Sequence, residues 1–262
     1  MTTETSLPLQ KQYDTFAPSY STIESLPTSQ IEGQLIRLAL GDCTGLSILD
    51  LGGGNGLHAR RAVEQANAAS VDIVDISKEM LRIGQSIPFA QANRLRWFEG
   101  DVSKPLPDTL GLKAEGSYDV VMANWVFDHA TTEKELKGMW ENVARYLRSG
   151  GKFLGVRVRY LKAEYMKRGE YGVRILDVEE IEGGKGYKYV CECLIEPEKF
   201  SFGATSMKST LEMDHGIHAE AVGLGGFEVV DYGETEVVKG DPEYWEEFLR
   251  EPSLAVVVGR KV

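Results

Sequence analysis

Residues 47–68 leave little freedom of architecture. Ser47-Ile48-Leu49-Asp50-Leu51 is a short apolar run, Gly52-Gly53-Gly54-Asn55-Gly56 follows it, and Leu57 to Ala68 is rich in helix formers. Strand, glycine turn and helix make up the first half of a βαβ unit. Glycines at 52, 54 and 56 let the backbone turn sharply and let a ligand lie directly against it, while Gly53 reads as a turn residue. The turn feeds a helix N-terminus, whose free N–H groups favour an anion.

The alternation continues downstream. Val71–Asp75 reads as a second strand, and Ser77 caps a helix carrying Met80, Leu81 and Ile83. Leu95–Glu99 and Tyr118–Ala123 are the third and fourth strands. Thr132 with Glu135 forms a capping box that opens a helix with Leu136, Met139, Trp140, Val143, Tyr146 and Leu147 on one side. Gly150-Gly151 stops it, and Lys152–Val158 is a fifth strand. Strands alternating with helices imply a mostly parallel sheet covered on both faces. Upstream, Pro8, Pro18 and Pro27 interrupt residues 1–29, and Ser29 with Glu32 reads as a capping box that predicts a helix over 30–40.

Beyond residue 160 the alternation breaks. Tyr187–Ile195 and Phe200–Met207 predict a hairpin on the exit side of the sheet, His218–Leu224 a helix, and Phe227–Tyr232 and Leu254–Gly259 two closing strands. The expected fold is α/β: a doubly wound, mostly parallel seven-stranded sheet with an antiparallel C-terminal strand pair and an inserted β-hairpin. At 262 residues the chain is expected to be one domain, with residues 1–40 as a helical lid and residues 160–210 as an insertion over the acceptor side.

Composition removes several function classes. The chain has 29 basic and 40 acidic residues and a net charge of −11, with only isolated basic pairs, so no phosphate-binding face for nucleic acid is expected. There is no run of about 18 apolar residues and no basic stretch leading into an apolar core at the start, so neither a membrane span nor a secretory leader is expected. Cys43, Cys191 and Cys193 are too few for a disulfide framework or a four-ligand zinc site, and a cytoplasmic location with no metal is the expectation.

Two cofactor readings compete for the glycine turn. Asp75, at the tip of the second strand, is placed to accept hydrogen bonds from both hydroxyls of a ribose. Gly54-x-Gly56-x-x-Ala59 also satisfies a dinucleotide fingerprint, which keeps an NAD(P)-dependent oxidoreductase open as an alternative. Against it, Asp50 precedes the glycines where an acid pairs with the ammonium of an amino-acid-like ligand, and Asp101 ends the third strand beside the place of an adenine amine. The C-terminal end also carries a strand pair rather than a second mononucleotide-binding half.

Taken together these residues resemble the class I S-adenosylmethionine-dependent methyltransferases of small-molecule type. Asp50–Gly56 matches the glycine-rich first motif, Asp75-Ile76-Ser77 with Met80-Leu81 the acidic second motif, and Glu99-Gly100-Asp101-Val102 the adenine-contacting turn. Tyr118–Asn124 is similar to the fourth-strand motif, Arg145–Gly151 to the turn before the fifth, and Tyr13-Asp14-x-x-Ala17-x-x-Tyr20 to an N-terminal lid. The resemblance implies a Rossmann-like methyltransferase fold and S-adenosyl-L-methionine as cofactor. It implies that Gly52, Gly54 and Gly56 line the methionine end, that Asp75 holds the ribose, and that Ile76, Asp101 and Val102 surround the adenine. Asn124 then borders the methionine part and the reacting sulfur, with Tyr13 and Tyr20 closing over the cofactor.

A methyl sulfonium is already activated, so positioning and water exclusion do most of the work, and a base is needed where the nucleophile carries a proton at neutral pH. His129, after the fourth strand, and His215, in the pair Asp214-His215, are the candidate bases, with Asp128 and His218 nearby in sequence. His58 is expected to be exposed behind the cofactor, Asp72 to face solvent or a helix, and Arg157 and Arg159 to meet an acceptor carboxylate if there is one. Trp125, Phe127, Tyr160, Tyr165, Tyr187, Phe200 and Phe202 are the expected aromatic lining of an acceptor pocket suited to a small, flat or lipophilic molecule. The reading is methyl transfer to a small-molecule acceptor, possible in secondary metabolism, with a non-catalytic cofactor-binding regulator as a further alternative.

Overall fold

The computed structural model describes residues 9–17, 20–196, 199–213 and 219–262. Five parallel strands form the body of its main sheet: β1 (Ser47–Leu51), β2 (Ser70–Asp75), β3 (Leu95–Glu99), β4 (Tyr118–Met122) and β5 (Leu147–Val158). Two more, β9 (Leu224–Val229) and β10 (Leu254–Lys261), complete the order β3-β2-β1-β4-β5-β10-β9, with β10 antiparallel to both its neighbours. The expected seven-stranded sheet with its antiparallel closing pair is therefore the observed one. Strand order reverses between β1 and β4, and ligands bind such sheets at the carboxyl ends of the strands flanking that reversal.

The inner strands are continuous apolar runs because helices cover both faces. Every residue of β1 is buried. Helix α1 (Leu9–Phe16) lies at the ligand side, and α2 (Pro27–Leu40) buries Ile31, Leu35 and Ile36 with α3 (Leu57–Ala66) in one core cluster. Helix α4 (Lys78–Ser86) follows β2, and α5 (Glu133–Tyr146) packs on the other face with Phe127, Trp140 and Phe153. Both halves of the α5 capping box are made: Thr132 Oγ1 accepts from the Glu135 N–H at 3.2 Å, and Glu135 Oε2 accepts from the Thr132 N–H at 3.1 Å.

The start of α2 differs from its expectation. Pro27, not Ser29, opens the helix, since a proline at the first helical position gives up no hydrogen bond. Glu32 is then inside the helix, where it pairs with His58 Nε2 at 3.1 Å. His58 is consequently not exposed but largely covered. Asp72 also departs from expectation. It is fully buried and accepts from Arg96 Nε at 2.7 Å and from the Tyr118 hydroxyl, tying β2, β3 and β4 together.

The insertion is larger than a hairpin. A strand missed in the sequence, β6 (Val173–Glu180), precedes β7 (Gly186–Cys193) and β8 (Phe200–Met207), and the three form their own antiparallel sheet, order β6-β7-β8. A short helix, α6 (Glu164–Arg168), leads into it. The helix expected over His218–Leu224 is only a 3-10 turn, Glu220–Val222, within the described residues, and the next strand already begins at Leu224.

Candidate active site

The glycine turn is shaped as much by what stands behind it as by any ligand. Gly52 has φ +69°, and a Cβ there would lie 2.4 Å from Val126 Cγ2, on the turn after β4. Gly56 has φ +75°, and its Cβ would strike the Trp97 ring at 2.4 Å. Gly56 therefore lets α3 pack onto the sheet and lines none of the cavities described below, which corrects its assignment to the methionine end. Gly53 is more than a turn residue, because a Cβ there would stand 2.7 Å from the Asp50 carboxylate.

Three cavities meet at the carboxyl ends of β1 and β4. The first, of about 250 Å³, is bordered by Gly52, Gly54, Asp75, Ile76, Asp101, Val102 and Asn124. The second, of about 50 Å³, runs under the glycine turn past Asp50, Gly52, Gly54, His58 and Asn124. The third, of about 110 Å³, is almost wholly apolar and lies between α2, the end of β4 and the insertion sheet.

The first two suit a charged nucleoside-like ligand. Asp75 Oδ2 accepts from the Gly54 N–H and Oδ1 from the Ser77 N–H, both at 2.8 Å, so its carboxylate is fixed at the cavity edge. Burial pushes Asp75 up to about 6, against the pull of those bonds. Asp101 is held by Ser103 at 2.6 Å and by Lys104 Nζ at 2.6 Å. Burial raises its pKa, but these partners outweigh burial and leave it below the usual value.

Asp50 is different. It is 1% exposed, neither carboxylate oxygen has a hydrogen-bond partner, and burial, with Asp75 adding and His58 opposing, pushes it up to about 7. Asn124, also buried, accepts from the Val156 N–H through Oδ1 at 3.3 Å and leaves Nδ2 without a partner. A buried carboxylate and a buried amide left unmatched at one cavity wall are costly unless a polar ligand completes them. An ammonium beside Asp50 and a polar atom beside Asn124 do so, and the methionine end of S-adenosylmethionine fits on these grounds.

The third cavity joins the first at Tyr13 and His129. His129 Nε2 stands 2.7 Å from the Tyr13 hydroxyl, and burial lowers its pKa to about 4, so the ring is neutral. Its neighbour Asp128 also borders the third cavity but spends its carboxylate on two bonds. Asp128 Oδ1 accepts from Ser206 Oγ at 2.6 Å and Oδ2 from the Val158 N–H at 3.1 Å, clamping the insertion to the main sheet.

Of the expected acceptor-side aromatics, Trp125 and Phe202 line this cavity. Phe127 stacks on Trp140 at 4.3 Å in the core instead, Tyr165 donates to the Glu251 carbonyl at 2.8 Å, and Tyr160 is exposed. Tyr187, Phe200, Arg157 and Arg159 do not reach the cavity wall either. Arg157 is buried over the Phe127 and Trp140 rings. Arg159 donates to the Tyr232 hydroxyl at 3.4 Å. In their place come Glu32, Met166, Val173, Ile175 and Tyr189. The alternation Val173-x-Ile175 was the available signal for part of that wall. Cys191 and Cys193 both line it, and among the described residues no group of three or more His, Cys, Asp or Glu converges as for a metal. His215 and His218 lie outside the described residues, and of Tyr20 only the backbone is described.

Residues 48–151 match a protein family described as methyltransferase domain. Those residues carry a methyltransferase domain, and the whole fold is shared with solved S-adenosylmethionine-dependent methyltransferases. The methyltransferase relatives vary widely in what they act on. The chain is 33% identical over 81 residues to the malonyl-[acyl-carrier protein] O-methyltransferase of Halalkalibacterium halodurans, covering 31% of this chain and 28% of that one. It is 27% identical over 148 residues to the ribosomal protein uL3 glutamine methyltransferase of Burkholderia pseudomallei, covering 53% and 48%. The chain thus spans less than half the length of these curated relatives. Among solved structures, the CcbJ methyltransferase of Streptomyces caelestis shares the fold, with TM-score 0.60, 18% identity and coverage of 94% of this chain and 96% of that one. No helix among the described residues is long and apolar enough to cross a membrane.

Proposed function

We propose that this chain transfers the methyl group of S-adenosylmethionine to a small, mainly apolar acceptor that carries a hydroxyl and no negative charge. The observation behind this reading is the apolar third cavity, which opens onto the cofactor side at Tyr13 and His129. Its wall has no Lys or Arg among the described residues, while Glu32 and Asp128 are both acidic. A carboxylate acceptor would meet no partner there, so the basic pair first assigned to it is withdrawn.

When bound, the cofactor supplies a methyl group on a positively charged sulfur. Asp75 would hold the ribose, Ile76, Asp101 and Val102 the adenine, and Asp50, Asn124, Gly52 and Gly54 the methionine part. The apolar walls of the third cavity would keep water from the acceptor and hold it in line. In the tautomer with its proton on Nδ1, His129 accepts from the Tyr13 hydroxyl, and the hydroxyl oxygen would accept in turn from an acceptor hydroxyl. The nucleophile's proton would then pass through Tyr13 to His129 Nε2. Being neutral, the imidazole is ready to take it, and as a weak base it does so only when the hydroxyl has become acidic in the transition state.

The test has two stages. Calorimetric titration with S-adenosylmethionine and with NAD should show binding of the first alone. NAD binding in its place would restore the oxidoreductase reading. Labelled methyl transfer is then assayed on small phenols and alcohols beside matched carboxylic acids. Transfer to the acids alone would sink the hydroxyl reading, and binding without transfer to any small molecule would favour a regulator.

A further inference from the structure

Trp125 sits where no large side chain is comfortable. Its φ is +64° and ψ 0°, the left-handed region that L-residues other than Gly, Asn and Asp seldom enter, and a bulky aromatic there stores strain. The position is held by the structure around it. The Trp125 N–H donates to the Val156 carbonyl at 2.8 Å, and the next residue, Val126, presses on the Gly52 loop. An asparagine or glycine would take this backbone at lower cost, so the ring itself has to account for its presence.

Its place between the cavities points to a role for the ring. Among the described residues Trp125 is the one that lines all three cavities. Asn124 and Gly52 border only the two cofactor cavities, and Tyr13 and His129 only the first and third. A sulfonium centre has three carbon arms, here a nucleoside, an amino-acid chain and the methyl group in transit. Three chambers that meet at one residue match three arms that meet at one sulfur. The indole is also the aromatic face that attracts a cation most strongly.

We propose that the Trp125 indole forms the wall against which the sulfonium is bound, so that this chain tells the charged cofactor from its neutral product through that ring. The inference rests on the cofactor reading above. It adds a residue that none of the sequence motifs singled out for the cofactor.

The test compares S-adenosylmethionine with S-adenosylhomocysteine, which lacks the methyl group and the positive charge. Dissociation constants for both are measured by calorimetry on the wild type, Trp125→Phe and Trp125→Leu. With the ring on the sulfonium, the leucine variant loses roughly 2- to 30-fold more affinity for the charged ligand than for the neutral one, and phenylalanine falls between. Equal losses for both ligands overturn the inference, because a simple wall residue is blind to charge. Should leucine fail to fold, Trp125→Gly carries the same comparison, since glycine suits the left-handed backbone. A wild type that binds neither ligand would overturn the cofactor reading, and this inference with it.

Discussion

The Tyr13 hydroxyl meets His129 Nε2 at 2.7 Å across 116 residues of chain, joining the N-terminal helix to the end of the fourth strand. The contact lies on the boundary between the first and third cavities, where the proposed lid would meet the proposed base.

His129→Asn is expected to cut turnover by roughly 10²- to 10⁴-fold while cofactor affinity stays near wild type. Tyr13→Phe keeps the ring but removes the hydroxyl through which the proton passes, so it should also cost roughly 10²- to 10⁴-fold in turnover. Because burial lowers the histidine from 6.5 to about 4, kcat should show no titration of this group between pH 5.5 and 8. A rate limb near 6.5 that disappears in the asparagine variant would contradict its burial as a neutral base.

Asp50→Asn should stabilise the free protein and weaken it as a binder. The folded pKa of about 7 lies above the ordinary carboxyl value of 3.8, so between the two the native state keeps a proton that the unfolded chain has lost. The stability this gives is full below pH 3.8 and is lost as the pH rises through about 7. Denaturant titrations of the ligand-free protein should therefore agree for the two forms near pH 4 and favour the variant at pH 8, by at most ~4 kcal/mol at about 1.4 kcal/mol per pH unit. Affinity for S-adenosylmethionine should fall at least about 10-fold, with loss of the bond to its ammonium. Equal stability at pH 8 with unchanged affinity would remove Asp50 from the site.

Asp75→Ala should weaken cofactor binding by roughly 10- to 150-fold, the cost of losing hydrogen bonds to a charged group. The same change frees the Gly54 and Ser77 N–H groups, so a lower melting temperature should accompany it. Unchanged affinity by calorimetry would withdraw the ribose assignment.

Deleting residues 1–21 should leave a folded protein whose turnover falls far more than its cofactor affinity. Among the described residues, helix α1 meets the rest of the molecule through polar contacts and the packing of the Tyr13 ring beside Phe202. The Gly203 N–H donates to Gln12 Oε1 at 2.9 Å, Ser77 Oγ donates to Asp14 at 2.6 Å, and Tyr13 reaches His129. Every strand of the main sheet lies downstream. Circular dichroism checks folding, calorimetry affinity and a methyl-transfer assay rate, and full activity in the truncated protein would end the lid reading.

The strands and helices of the cofactor half were legible because each rule there acts locally. Gly52 to Gly56 punctuate one strand and one helix, and Thr132 with Glu135 caps the next through its own side chains. The misreadings came from partners far along the chain. Asp72 looks like a surface acid until Arg96 and Tyr118 close on it, and Gly56 looks like a ligand contact until Trp97 arrives behind it. The acceptor wall was the least legible part. Val173 and Ile175 stand on a strand whose pairing with Val190–Cys193 is set only by the tertiary fold, and aromatic character alone did not separate Phe202, which lines the cavity, from Phe127, which packs the core.

The insertion sheet shares no strand with the seven-stranded one and is fastened to it largely by the Asp128 clamp and side-chain packing. Its three strands can thus be lengthened, shortened or exchanged without disturbing one rung of the ladder that carries Asp50 and Asp75. If the insertion forms the acceptor wall as proposed, the half that holds the cofactor could stay constant while the half that meets the acceptor changes. A graft of residues 160–210 between chains of this architecture is the natural unit in which new acceptor preference would be traded.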